Sequence, residues 1–169
     1  MRSLVAGVAV GAAVVGALVA LGGCGSSGGG SAASAEMQKK AALYEIDQLE
    51  QTWHKAASTH DIDLMMTIWA PDATFTFSGN TAVGKDAVRK VLAAAGPFQA
   101  QNHWVSETPA YKMRTTVNGD KGTLYFECHY VDVKTGKLMI VVSADQNVQK
   151  IDGKWLITNG VAATPAFRP

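Results

Sequence analysis

Lys137-Leu138-Met139-Ile140-Val141-Val142-Ser143-Ala144-Asp145-Gln146-Asn147-Val148-Gln149-Lys150-Ile151-Asp152-Gly153-Lys154-Trp155 is the stretch on which the fold turns. It opens with an apolar run of strand length, Leu138 to Val142, and closes on Asp152-Gly153, a turn dipeptide. Working outward, Thr135-Gly136 and Asn118-Gly119-Asp120 carry the same turn chemistry. These breaks delimit four strands: His103–Val117, Thr123–Lys134, Lys137–Ile151 and Lys154–Ala162. Links this short join antiparallel neighbours. Leu138 to Val142 is apolar on both faces, so both faces of that strand should be covered. Helices can cover one. A second subunit packed on the sheet would cover the other, which makes a homodimer the expected assembly.

Upstream, the periodicity changes. Leu43, Ile46, Leu49, Trp53 and Ala56 recur at the spacing of one helix face across Met37–Ser58. His60-Asp61 interrupts, with Asp61 placed to cap a second helix carrying Leu64, Met65, Ile68 and Trp69. Ala70-Pro71 ends that helix, because proline disfavours a helical residue before it. Thr74-Phe75-Thr76-Phe77 alternates as a strand, and Gly84 to Ala95 forms a third helix. Helices first and a meander after is the α+β pattern: three N-terminal helices packed on a bent, mostly antiparallel sheet.

The N-terminus has a different character. Leu4 to Leu21 runs without charge behind Arg2, and Leu21-Gly22-Gly23-Cys24 resembles the lipobox of bacterial lipoproteins. Residues 1–23 are therefore expected to be a cleaved signal, with Cys24 lipidated. Residues 24–36 would form a Gly/Ser-rich tether, Gly25–Ala35 reaching about 18 Å as a flexible chain. The domain would be 37–169, held at the outer side of a bacterial envelope membrane. Arg2 leaves with the signal, so the 15 Lys+Arg become 14, against 14 Asp+Glu. A near-neutral domain without a basic stripe is a poor partner for nucleic acid. There are two cysteines; with Cys24 acylated, Cys128 has no disulfide partner and reads as a buried strand residue.

The order helix, His60-Asp61, helix, Ala70-Pro71-Asp72-Ala73-Thr74-Phe75, Gly84-Lys85, helix, then strands ending Asp152-Gly153-Lys154-Trp155-Leu156-Ile157 resembles the SnoaL-like branch of the NTF2-like superfamily. That resemblance implies a sheet bent into a cone around a mostly apolar pocket. It also implies relatives that include ketosteroid isomerases, polyketide cyclases, dehydratases and non-catalytic binding domains. Against the scytalone dehydratases, His103 matches a strand histidine and Ser143 a pocket serine. Asp145 stands where they have asparagine, Ser58 where they have a pocket aspartate, and Ala57 and Phe77 where they have tyrosines. Most of that polar machinery is missing.

His103 and Asp145 remain as a candidate catalytic pair, and Ser58, Trp69, Phe77, His103, Ser143 and Asp145 as candidate pocket residues. Strand parity puts Ser143 and Asp145 on one face with Met139 and Val141. Were that face to line the cone, a carboxylate and an imidazole could shuttle a proton. Each residue also has an ordinary role open to it: a backbone contact for His103, an edge ion pair for Asp145, close packing for Ser143. The spacing of His54, His60, His103 and His129 supports no metal site. No strand–glycine-loop–helix unit for phosphate occurs, and no cofactor is expected. The leading expectation is a membrane-anchored protein binding a small apolar or aromatic molecule. Alternatives are a cofactor-free isomerase, cyclase or dehydratase using His103 and Asp145, and an interaction domain whose pocket is vestigial. A deep cavity with that pair in contact favours chemistry, a deep cavity without it favours binding, and a filled cone favours interaction.

Overall fold

The computed structural model describes residues 29–164. The signal segment, Cys24 and Gly25–Gly28 of the expected tether lie outside the described residues. The first helix, α1 (Gly29–Thr59, 31 residues), starts eight residues before the expected Met37. Gly29 to Ala35 are thus helix rather than loose tether. Ser31-Ala32-Ala33-Ser34-Ala35 contains nothing that breaks a helix, and the turn that follows propagates back through it. Residues 32–41 are exposed; the buried stripe starts at Ile46 and continues through Leu49, Glu50, Trp53, Ala56 and Ala57.

α1 ends where His60-Asp61 interrupts the pattern. His60 takes a left-handed conformation (φ 57°). Its N–H donates to Ala57 O and that of Asp61 donates to Ala56 O, at 3.4 and 2.9 Å. This is a paired C-terminal cap with histidine in the place glycine usually holds. Asp61 Oδ1 then accepts the Leu64 N–H at 2.8 Å, capping α2 (Ile62–Met66) as expected.

α2 is shorter than its apolar spacing suggested. Trp69 opens a strand, β1 (Trp69–Phe77), which takes in Pro71 at an irregularity in its pairing. Proline lacks the N–H that a regular ladder needs, and the irregularity removes that demand. Ser78-Gly79, both at positive φ, turns β1 into β2 (Asn80–Val83), a strand that the reading above did not include. α3 (Lys85–Ala94) follows and buries Val88 and Leu92.

The expected strand His103–Val117 is two strands, β3 (Trp104–Glu107) and β4 (Arg114–Asn118). Pro109 and a single 3-10 turn at Ala110–Lys112 separate them. Both pair with β5 (Lys121–Asp132), at opposite ends of it. β6 (Lys137–Ile151) and β7 (Lys154–Ala163) complete the meander, turning at Gly136 and Gly153. The strand order is β2-β1-β7-β6-β5-β3, with β4 also on β5. All pairings are antiparallel except β1 with β7, which is parallel. The α+β expectation therefore holds, as a mixed and mostly antiparallel sheet with the helices packed on one face.

That face carries Leu124, Phe126, Cys128 and Tyr130 of β5, all buried, against Ile140, Val142, Ala144, Gln146 and Val148 of β6. Ala56, Trp53 and Ile46 of α1 pack over them in one continuous core with Met65, Trp69 and Phe75. Among the described residues no helix is long and apolar enough to cross a membrane.

Candidate functional site

An apolar cavity of about 490 Å³ opens between α3, the turn after it and the concave face of the sheet. Its aromatic wall is Trp53, Phe75, Phe77, Phe98, Trp104 and Tyr130; Leu92, Ile140 and Val142 contribute aliphatic surface. Each element supplies its part through its own period. Trp53 lies on the buried stripe of α1, Phe75 and Phe77 alternate on β1, and Ile140 and Val142 share the inward row of β6. Gly96 lets the Trp104 ring lie against the backbone after α3: a Cβ there would sit 2.8 Å from the indole. Trp53 is braced edge-on by Phe126 at 5.6 Å and tilted against Trp69 at 6.0 Å.

Polar atoms gather behind one part of this wall, where Ser106 is not among the lining residues. Tyr130 is 4% exposed, and burial pushes its phenol well above the usual range. Negative charge on Cys128 would add to that, while Trp53 and Ser106 face the phenol closely enough to pull the other way. The hydroxyl is therefore a proton donor at any ordinary pH. Trp53 Nε1 and Ser106 Oγ are both buried and have no hydrogen-bond partner among the described residues. Ser106 stands directly across from Tyr130 in the β3–β5 register, and its own N–H donates to Ser58 Oγ at 2.9 Å.

The residues picked out from the sequence are distributed differently from the expected pocket. Phe77 does line the cavity. Trp69 is fully buried in the core and braces Trp53 and Phe75 instead. Ser58 serves β3 through the bond just described. Ser143 and Asp145 lie on the opposite face of the sheet from Val142 and Ala144, and Asp145 is exposed. The apolar row of β6 turns inward because the alternative would bury an aspartate without a partner. Ser143 Oγ donates to Ala163 O at 3.3 Å. His103 is exposed just ahead of β3. The residue after it, Trp104, pairs with Asp132, whereas Asp145 pairs with Tyr125. Seven residues along β5, about 23 Å, separate those positions. The structure does not bring His103 and Asp145 together, and the proton shuttle is not assembled.

A titratable cluster that the sequence reading passed over lies behind the Trp53 wall. His54 Nε2 is 3.0 Å from Glu50 Oε1, one turn earlier on α1. It is also 2.6 Å from Thr108 Oγ1, whose hydroxyl donates to Glu127 O, and 3.9 Å from Cys128 Sγ. Burial opposes a charge on His54. Hydrogen bonds and electrostatic attraction from Cys128 and Glu50 outweigh it, and raise the imidazole to about 10. Burial likewise opposes ionisation of Glu50, but His54 and Thr108 hold its carboxyl below the usual range. The signal was present as the Glu50–His54 spacing of four residues; Thr108 and Cys128 come from strands far along the chain.

A larger cleft, about 600 Å³, lies between α1 and the β4–β5 turn. Charged groups line it, Lys39, Glu45, Asp120 and Lys150, and of these Lys150 Nζ donates to Glu45 Oε2 at 3.0 Å. The aromatic cavity, with its apolar lining, is the better candidate for a small ligand. Among the described residues, no three His, Cys, Asp or Glu side chains are grouped to hold a metal ion.

A sequence profile of the SnoaL-like domain matches residues 51–155. No curated protein matches the chain at a significant level. Among solved structures, an NTF2-like protein of unknown function from Pseudomonas putida is 18% identical, with a TM-score of 0.65 over 76% of this chain and 89% of the other. A hexachlorocyclohexane dehydrochlorinase from Novosphingobium barchaimii is 18% identical, with a TM-score of 0.63 over 79% and 93% of the two chains. A putative dehydratase of the NTF2-like family from Streptomyces avermitilis is 10% identical, with a TM-score of 0.62 over 76% and 99%. At these identities the likeness establishes the fold, an NTF2-like one, and not a shared reaction.

Proposed function

The chain belongs to the SnoaL-like domain family, and from that membership and the lining of its cavity we propose that it binds a small apolar or aromatic molecule in the mouth of the cone. One observation carries the reading: about 490 Å³ of space is walled by six aromatic side chains, while His103 and Asp145 lie elsewhere. A volume of that order accommodates a two- or three-ring molecule. The open cavity also weighs against a purely interaction-based role, for which a filled cone would suffice.

The same proposal attaches the domain to the outer side of a bacterial membrane through a lipid on Cys24. Leu21-Gly22-Gly23-Cys24 supports it. With α1 starting at Gly29, the helical turns over 29–41 would add a stiff spacer of about 20 Å next to the lipid. Intact mass of membrane-extracted protein should begin at Cys24 with added acyl mass; a chain retaining Met1 overturns the anchor.

The pocket is tested with N-phenyl-1-naphthylamine, a neutral dye whose emission rises in apolar surroundings. Saturable binding at one site per chain is expected, abolished by Val142→Trp, which fills the cavity from its sheet wall. No saturable signal, or one indifferent to Val142→Trp in a folded variant, overturns the reading.

A further inference from the structure

We infer that His60 latches the movable wall of the cavity, the strap Ala95–Asn102 between α3 and β3, and so governs how fast an apolar ligand enters and leaves. The inference rests on the binding reading above and adds a positioning residue to that site. Ala95, Gly96, Pro97 and Phe98 line the cavity, and the rest of its lining belongs to α1, α3 and the strands of the sheet. The strap has no ladder to hold it. Its backbone bonds are local: Phe98 N–H donates to Ala95 O at 3.0 Å, Gln99 N–H to Gly96 O at 3.1 Å and Asn102 N–H to Gln99 O at 2.9 Å. Its side chains turn back in the same way, Gln99 Nε2 donating to Ala93 O at 2.9 Å and Asn102 Nδ2 to Gly96 O at 2.6 Å. Among the described residues one hydrogen bond ties the strap to a distant element, from His60 Nδ1 to Pro97 O at 2.6 Å. A carbonyl only accepts, so Nδ1 carries the proton. A segment tied this sparsely opens at lower free energy than the sheet beside it.

The backbone at His60 points the same way. Its φ of 57° suits glycine, which would cap α1 without strain. The capping itself is done by backbone N–H groups and needs no imidazole. Strain that persists in a fold marks a position where the side chain has a task, and here the ring alone reaches the strap. His60 is not among the residues lining the cavity, so it does not touch a ligand there. Breaking its bond frees Pro97 and Phe98 to swing away, which lowers the barrier to entry and to exit alike. Rates should change, and affinity should not.

The test is stopped-flow mixing of the full-length chain with N-phenyl-1-naphthylamine, in which the dependence of the observed rate on dye concentration separates association from dissociation. His60→Gly removes the ring and suits the left-handed backbone. Both of its rate constants should rise about fivefold, the ratio one hydrogen bond of ordinary strength confers, with Kd kept within about twofold. His60→Asn also suits that backbone and keeps an N–H donor at the δ position, so its rates should stay within about twofold of the unaltered chain. Unchanged rates in His60→Gly overturn the latch and leave the pocket standing. Faster dissociation alone, with a weaker Kd, overturns it too, because His60 then only props the wall. Equal rises in both variants overturn the assignment to the Nδ1 bond. A dye that does not bind the unaltered chain overturns the latch together with the pocket.

Discussion

Glu50 Oε1 lies 3.0 Å from His54 Nε2 one helical turn away, with both side chains nearly buried, at 11% and 12% exposure. The pair sits beneath the core face of β5, where Thr108 and Cys128 close around the imidazole. Its two pKa shifts act on stability in opposite pH ranges. His54 rises from 6.5 to about 10, so its contribution is full below 6.5 and is lost as pH climbs towards 10. Glu50 falls below its usual 4.5, so its contribution is present above 4.5 and is lost as pH drops further. The pair therefore supports the fold most between those two unperturbed values. Thermal melts should show stability declining from about pH 6.5 to pH 9.5. Glu50→Gln should lower stability by about 3 kcal/mol near pH 6, because it leaves a buried imidazolium without its carboxylate. It should also flatten the alkaline decline. A variant whose pH profile parallels that of the unaltered chain would show that the pair does not set the slope.

Gly96 shapes the cavity from its own lining. A Cβ at this position would lie 2.8 and 3.1 Å from atoms of the Trp104 ring, so Gly96→Ala must move that ring. Overpacking of this kind costs about 1–3 kcal/mol. Because Trp104 is itself part of the cavity wall, the dye affinity should fall along with the melting temperature. A loss of stability with unchanged dye binding would place the displaced ring away from the ligand.

Gln146 is the polar residue of the inward β6 row, 2% exposed, with neither Oε1 nor Nε2 partnered among the described residues. Its neighbours across the sheet are Leu124 and Gly160. Gln146→Met keeps the length of the side chain and removes the amide. Unpaired, that amide destabilises the fold by about 1–3 kcal/mol, and denaturant unfolding should show a gain of about 1 kcal/mol. A loss of similar size would mean that the amide is satisfied by buried water.

The sequence showed the helix faces, the Asp61 cap and the turns at Gly136 and Gly153, because each follows from a local rule about period or φ. It was ambiguous where two rules overlap. Leu64 to Trp69 fits a helix by spacing, yet Trp69 starts a strand, since the parallel partner in β7 lies about 90 residues downstream. Alternation through His103–Val117 conceals the break at Pro109, which only the turn geometry reveals. Parity correctly grouped Ser143 with Asp145 but carries no sign: it says which residues share a face, not which face the helices cover. That missing sign misplaced the candidate pair. Of the six aromatic wall residues only Phe77 was among the candidate pocket residues, because Trp53, Phe75 and Tyr130 meet only through the fold.

We propose that the outer face of the sheet receives a second copy of the chain. Glu127 Oε1 accepts from Lys112 Nζ at 3.1 Å and from the Tyr125 hydroxyl at 3.0 Å, while Oε2 is 3.5 Å from His129 Nε2. Arg114 lies over the Tyr125 ring at 4.0 Å. Lys112, Glu127 and Tyr125 satisfy one another, and polar groups so paired can be covered at less cost than groups bonded to water. Around them, Leu138, Met139 and Val161 are 41%, 48% and 44% exposed. Val161 pairs with Asp145 across the ladder and so shares its outward face. Sedimentation equilibrium at micromolar concentration should give a dimer. Val161→Lys places a charge on each copy at such an interface and should shift the equilibrium to monomer, with an unchanged circular dichroism spectrum. An unaltered chain that sediments as monomer throughout would remove the dimer and leave this face to solvent.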